Sequence, residues 1–486
     1  MSQQITAAVG GGGGGILVEH NTTAQQHQIM PLPLQPPHTQ RRSKSSTSLR
    51  NVYNRHIAGR AGQVDAVAGK GVDEVEEEDD GTEWNPWGQE FEKEPPYKPR
   101  PRPGPEDDST WIVKVPGAAP GAPQATIILP PGLRRVHIWG KAAIGMYLWE
   151  HVFGGELVTM DSSGQWQEGA MTIKDMYFRF RTGPMLVPEQ VPLEGAEAVM
   201  LVLNGREDNK VAFARPWLKW AQQLVEQGRI RGAGLVLLGN ERCDNDWLVP
   251  LLRGAGGFLE PTFLVYDSPL VDGSSVLQWP LGVATYRGFP IVKPSEVSLD
   301  EPRRYTCNFL GTVYPGSSRV AMLRALHESG FRDSCLVVER EQWQPMETSE
   351  SRGRYMDALR QSDLTLCPVG VNTECYRIYE ASALGSVPVV EDVLTPGHCG
   401  NSTANGGRWT RHAAPLRLLK AAGAPFVFVR DWSELPAVLR REATMSARDK
   451  AERRARLVRW YESFRVEMRD TFVGAIRKSY FGNRMS

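Results

Sequence analysis

From Arg135 onward, short unbroken apolar runs alternate with stretches whose apolar residues recur every three or four positions. VHIWG is one such run, and KAAIGMYLWEHVF after it has helical spacing. VMLVL, LVLLG and FLVY are apolar throughout and bounded by turn-forming stretches such as NGRED and GNERCDND, the pattern of strands buried on both faces. Between the first two, VAFARPWLKWAQQLVEQG predicts a helix that stops at Gly228.

A second alternation follows. YTCNFLGTVY reads as strand and turn, SRVAMLRALHESG as a helix stopped at Gly330, CLVVER as a strand and GRYMDALRQS as a helix. LTLC, the CYRIYEASALG helix, VPVV, PFVFV and the helix WSELPAVLRREA complete it. Buried strands alternating with helices predict βαβ units around parallel sheets, so the expected class is α/β with two Rossmann-like, doubly wound domains. Their expected spans are residues 131–298 and 299–440. Residues 441–486 predict one or two charged amphipathic helices that Leu457, Val458, Trp460, Tyr461 and Phe464 would seat against the body.

Composition changes the picture only upstream. Residues 1–82 hold a glycine run, PLPLQPPH, RRSKSS and an acidic run, too little apolar surface to offset the entropy of ordering; a disordered low-complexity tail is expected. Residues 83–130, with EWNPW and EPPYKPRPRPGP, predict an extended stalk or strap. The 486 residues suffice for about three domains. A net charge of zero supplies no overall field for nucleic acid or a membrane. No apolar run is long enough for a transmembrane helix, and the first residues lack the basic flank and apolar core of a signal peptide. The six cysteines form no C-x-x-C pair, which argues against a zinc knuckle or a thioredoxin motif and leaves open buried thiols or one to three disulfides.

Candidate chemistry concentrates in DLTLCPVGVNTECYRIYEASALGSVPVVED. In open parallel sheets ligands sit at the carboxyl ends of the strands, and PVGVNTE is such an end. Gly370 permits close approach, and Thr373 is the expected N-cap of a helix whose first amides favour an anion. Arg377 adds a bidentate charge for a phosphate, and Glu380, three residues on, suits the two hydroxyls of a ribose. On spacing alone the two also fit an ordinary ion pair on a helix surface. Gly385 reads as the cap ending that helix. Neither G-x-G-x-x-G nor a P-loop is present, and G-x-S-x-G and H-E-x-x-H, which would mark a hydrolase, are absent too.

The pattern L-C-P-x-G followed by R-x-x-E-A-x-x-x-G-x-x-P-V-V resembles the nucleotide-sugar domain of exostosin-like glycosyltransferases, as does NFLGTVY with Arg319. Longer blocks, among them EWNPW, IWGKAAIGMYLWEH, LLGNERCDNDW and QWPLGVATYR, are similar to those members that act as xylosyltransferases on ribitol phosphate. The resemblance covers the chain from about residue 83 to its end. It implies two facing Rossmann-like domains of the GT-B type. Xylose would pass from UDP-xylose to ribitol 5-phosphate on the O-mannosyl glycan of α-dystroglycan, with inversion, in the Golgi lumen, with fukutin and fukutin-related protein as partners. It assigns Glu380 to the ribose, Arg377 to the diphosphate, Gly370, Asn372 and Thr373 to the phosphate loop, and Gly311 and Arg319 to the facing turn and helix. No tightly bound cofactor is implied and no essential divalent metal is expected; the DND at 244–246 reads as a helix cap. The family carries an N-terminal membrane helix, which this sequence does not display.

Other assignments stay open. The catalytic base is unassigned, with Glu207, Asp208 and Glu241 as candidates because each follows a predicted strand end, although each also fits a turn or cap. Lys141, Arg206 and Arg287 are candidate contacts for the acceptor phosphate, or simply solvated. Glu150 and His151 read as structural, and Trp279 as core rather than a sugar platform. Asn401 and Asn21 head N-glycosylation sequons. Two other functions remain in view: a different UDP-sugar transferase of the exostosin type, and a non-catalytic scaffold holding partner transferases.

Overall fold

The structure, a computed structural model, describes residues 132–482 except 161–165, 343–347, 396–398, 400, 406–407 and 412–414; of 110–113, 125–128, 401–405 and 408–411 it describes the backbone alone. The expected tail, most of the expected strap, and Asn21 lie outside the described residues. The described residues fall within one compact unit, Val75–Ser486. Two short strands, β1 (Thr110–Val113) and β2 (Ala125–Ile128), pair antiparallel.

Unbroken apolar runs become the centre of an eight-stranded sheet. Its strands are β3 (Arg134–Gly140), β4 (Val158–Thr159), β5 (Gln167–Ile173), β6 (Met176–Thr182), β7 (Ala198–Asn204), β8 (Gly232–Leu238), β9 (Leu259–Val265) and β10 (Val276–Trp279). They lie in the order β10-β9-β8-β7-β3-β6-β5-β4. Every residue of β7 and β8 is buried, as strands covered on both faces require. The sheet is parallel from β10 to β6; β5 and β4 extend its edge antiparallel. The short helix α1 (Ile144–Met146) runs on as a π-helical turn through Val152, and α2 (Asp208–Glu226) crosses from β7 to β8. Val211, Ala214, Leu218, Ala221 and Leu224 of α2 face the sheet at helical spacing, and Gly228 follows at φ +66°.

The second sheet holds β11 (Tyr305–Thr312), β12 (Cys335–Arg340), β13 (Ser362–Cys367), β14 (Val387–Glu391) and, after the hairpin β15 (Asn401–Asn405) and β16 (Arg408–Arg411), β17 (Val427–Val429). It is wholly parallel in the order β12-β11-β13-β14-β17. Its helices are α3 (Ser318–Glu328), α4 (Ser349–Arg360), α5 (Tyr376–Ala383), α6 (Arg417–Ala421) and α7 (Leu435–Thr444). In both sheets the chain steps to one side of its first strand and then to the other. This puts a topological switch point between β3 and β7 and another between β11 and β13, where ligands of doubly wound sheets bind. Asn401 opens a strand of the β15–β16 hairpin.

One helix, not two, closes the chain. α8 (Ala447–Ile476) is capped by Ser446, whose hydroxyl accepts from the Asp449 amide at 3.1 Å. At about 1.5 Å per residue it is roughly 45 Å long, enough to reach both halves. Tyr461 and Phe464 meet Tyr379 of α5 at 6.5 and 6.4 Å, while Phe472 meets Phe263 and Trp279 of the first sheet at 4.9 and 5.7 Å. Trp279 is fully buried there as core, as the sequence suggested.

Candidate functional site

The switch point of the second sheet is built around two glycines and two arginines. At the end of β11, a Cβ on Gly311 would lie 3.1 Å from Arg377 Nη2. A Cβ on Gly370, in the loop after β13, would meet Arg319 Nη2 at 3.4 Å. Both positions thus bring backbone close to a guanidinium. Arg377 Nη2 donates to the Leu310 carbonyl at 3.1 Å, its guanidinium lies 5.2 Å over the Phe309 ring, and its buried Nε has no protein partner. Arg319 Nη1 donates to the Thr312 carbonyl at 2.8 Å and sits over Tyr314. The Val369 amide is already taken by Glu391 Oε2 at 3.1 Å.

Glu380 does not form a surface ion pair. It is 5% exposed, with Oε1 accepting from the Ala284 amide at 3.1 Å and Oε2 from the Tyr355 hydroxyl at 2.5 Å. Burial pushes its carboxyl above the usual range, against the pull of Tyr355, Ala284, Arg377 and Arg287. Arg287, a candidate for the acceptor phosphate, therefore lies by Glu380 in the segment that follows β10, where Tyr286 meets Tyr376 of α5 at 5.8 Å.

The expected cap is corrected. α5 begins after Cys375, which makes no side-chain cap hydrogen bond, and the Thr373 hydroxyl instead donates to the Val393 carbonyl at 2.6 Å. Competition from that carbonyl takes the hydroxyl away from the helix. Gly385 ends the helix at φ +71°, as expected. Asn372 Oδ1 accepts from the Glu374 amide at 2.9 Å, while its Nδ2 donates to the Glu241 carbonyl at 2.7 Å. The loop after β13 is thereby tied to the loop after β8.

Sequence reasoning missed Glu374. It is 5% exposed, and its Oε1 accepts from the Leu281 amide at 2.8 Å and from the Tyr379 hydroxyl. Burial pushes it up to about 7, with the Leu281 and Tyr379 hydrogen bonds pulling the other way. Glu374, Asn372 and Thr373 line a small pocket together with Asp267 and Gln278 from the first half. Asp267 is ion-paired with Arg417 of α6, at 2.6 Å on Nε. No pattern in the sequence marked Glu374, because its partners are a distant amide and a tyrosine one turn into the helix.

Of the base candidates, Glu241 reaches the second half through its carbonyl; its Oε1 is paired with Arg206 at 2.7 Å. Glu207 and Asp208 are exposed at the start of α2. Lys141 is corrected as an acceptor contact: its buried ammonium donates to the Gly183 and Leu186 carbonyls, each at 3.0 Å, and lies over Phe213 and Trp217. Those two carbonyls and two rings hold the ammonium inside the first half, as a buried structural group. Asp246 opens a 3-10 helix, but the expected D-N-D cap is corrected: Asn245 at its N-cap makes no side-chain cap hydrogen bond, its Oδ1 accepting from the Asn240 amide at 3.0 Å instead. His151 is buried in the π-helical turn. Among the described residues no three His, Cys, Asp or Glu side chains converge as a metal site. Cys243–Cys399 and Cys307–Cys335 are disulfides, and Cys367 and Cys375 are thiols.

Two family profiles match the chain, one described as RXYLT1 N-terminal domain over residues 136–280 and one as RXYLT1 C-terminal domain over 286–481. Proteins named ribitol-5-phosphate xylosyltransferase 1 are similar to it at 52% identity in Mus musculus (72% of this chain, 77% of that protein) and 52% in Danio rerio (72% and 79%). The Homo sapiens protein of that name is 50% identical over 72% of this chain and 78% of its own. A crystal structure of an alpha1,3-fucosyltransferase covers 73% of this chain and 91% of its own at a TM-score of 0.30 and 8% identity, too distant to carry an argument.

Proposed function

We propose, from the premise that the chain belongs to the ribitol-5-phosphate xylosyltransferase family, that it moves xylose from UDP-xylose to ribitol 5-phosphate. The observation that carries this reading is the pairing of Gly311 with Arg377 and Gly370 with Arg319 at the switch point, beside the buried carboxylate of Glu380. Two guanidiniums, held by carbonyls and rings, aim positive charge where backbone approaches without a Cβ. That arrangement suits a diphosphate, with the α5 N-terminus adding its dipole.

The reaction in this reading is a single displacement with inversion. A ribitol hydroxyl attacks the anomeric carbon, and UDP leaves with the bonding pair. Arg377 and Arg319 hold the charge that grows on the leaving diphosphate, and because their geometry is fixed beforehand no reorganisation is needed at the moment of reaction. Glu380 meets the ribose by exchanging its Tyr355 or Ala284 hydrogen bond for a hydroxyl of the nucleoside. The acceptor is placed on the O-mannosyl glycan of α-dystroglycan, with fukutin and fukutin-related protein as the partners this reading brings with it. Residence in the Golgi lumen is supported by the two disulfides, which persist in oxidising compartments, and by the Asn401 sequon.

Transfer of label from UDP-xylose to a ribitol-phosphate acceptor tests the reading, with UDP-glucuronate and UDP-N-acetylglucosamine as competing donors. UDP-xylose is expected to be preferred, and Arg377→Ala to lower kcat/KM at least about 100-fold, as loss of a donor to developing charge does. Wild-type rate in Arg377→Ala, or preference for another sugar, overturns the assignment.

A further inference from the structure

The loop joining β13 to α5 has two chemically different ends. Its Gly370 end approaches Arg319, and its Glu374 end faces the pocket shared with Asp267 and Gln278 of the first half. Glu374 Oε1 is fixed by the Leu281 amide at 2.8 Å and by the Tyr379 hydroxyl. Oε2 makes no hydrogen bond among the described residues, and Glu374 is one of the residues that line the pocket. Carboxylates nearby are committed elsewhere: Asp267 to Arg417 at 2.6 Å, and Glu241 to Arg206 at 2.7 Å.

We propose that Glu374 is the general base of the transfer, its Oε2 taking the proton of the attacking ribitol hydroxyl. The assignment rests on the transferase reading above. With the leaving diphosphate at the Gly370 end and the base at the Glu374 end, one short loop brackets the anomeric carbon. The acceptor oxygen forms its bond to that carbon as its proton passes to Oε2. The bond from the same carbon to the diphosphate oxygen breaks with its electron pair, and the carboxyl then releases the proton to solvent.

Burial supports the role, since it pushes this carboxyl to about 7 and makes it a stronger base than an exposed glutamate. The groups that face it are Tyr379 of α5, Cys375, the Leu281 amide, Tyr147 and Tyr266 of the first half, and Asp267 with its Arg417 partner.

The test uses the full chain. Glu374→Gln keeps an oxygen for Leu281 and Tyr379 and carries no buried charge, so the melting temperature is expected not to fall and UDP affinity to hold while kcat falls about 100-fold or more. In the wild type, kcat should rise with pH to a plateau above about 7, a limb that Glu374→Gln lacks. Tyr379→Phe removes one hydrogen bond to the carboxylate and should move that limb to higher pH. A purely structural glutamate would not shift the limb. Glu374→Gln with a wild-type kcat, or a wild-type rate flat from pH 5.5 to 8.5, overturns the base assignment alone. A wild type that binds no UDP and transfers no xylose overturns the transferase reading and the base with it.

Discussion

A guanidinium resting on a ring and a carbonyl keeps most of its charge available, and its position is set by whatever leaves room for it. Gly311 leaves that room: a methyl there would stand 3.1 Å from Arg377 Nη2 and 3.2 Å from Phe309 Cζ. Gly311→Ala should therefore displace the guanidinium by a few tenths of an ångström without unfolding the strand. We expect KM for UDP-xylose to rise about tenfold, equivalent to about 1.4 kcal/mol, with melting temperature unchanged; an unaltered KM would remove Arg377 from the donor site. Glu374 gives a second effect at this scale. Its carboxyl sits at about 7 in the folded chain against an ordinary 4.5, so the folded state holds the proton more tightly. Its contribution to stability is present below about pH 4.5 and is lost as pH rises through about 7, by up to about 3 kcal/mol. Denaturant titrations of wild type and Glu374→Gln across that window should diverge accordingly, and parallel curves would contradict the burial argument.

Elements differ in how openly the sequence displays them. The strands VMLVL and LVLLG are legible because burial on both faces leaves no polar position to interrupt them. The β5–β6 hairpin is not legible. MYFRFRT buries Arg181 completely, which is tolerable because Glu168, on the neighbouring strand, lies 2.6 Å from its Nε and Glu194 and the Pro192 carbonyl take its other nitrogens. Arg377 and Glu380 were legible as a pair but not as separately held groups, because Leu310 and Ala284, which hold them, come from elsewhere in the chain. The expected Thr373 cap failed for a related reason: local spacing does not reveal a competing carbonyl from Val393. For α8, the apolar stripe through Phe464 was visible, but its continuation to Phe472 matters more, since that ring enters the core of the first sheet. Phe472→Ala should cost about 3–5 kcal/mol, measured by chemical denaturation. A cost below about 1 kcal/mol would mean the helix is not anchored there.

At the scale of the whole molecule, catalysis in the proposed reading depends on holding the loop after β13 against the first half. Several bonds do so: Leu281 to Glu374, Ala284 to Glu380, Asn372 to the Glu241 carbonyl, and the covalent link from Cys243 to Cys399. The disulfide spans 156 positions, so closing it removes about 5 kcal/mol of chain entropy from the unfolded state. It also stands beside the loop, because Asn372 Nδ2 approaches Cys399 Sγ at 3.3 Å. The two contributions separate experimentally. Replacing both cysteines by serine should lower the melting temperature by several degrees through the unfolded chain alone. If the link in addition positions the loop, the variant, assayed well below its melting temperature, should bind UDP more weakly and transfer more slowly. We expect both effects, since Asn372 would lose the Cys399 contact on its amide when residue 399 is free to move. Loss of stability with UDP affinity intact would assign the disulfide to folding alone, leaving the carboxylates of Glu374 and Glu380 to join the halves.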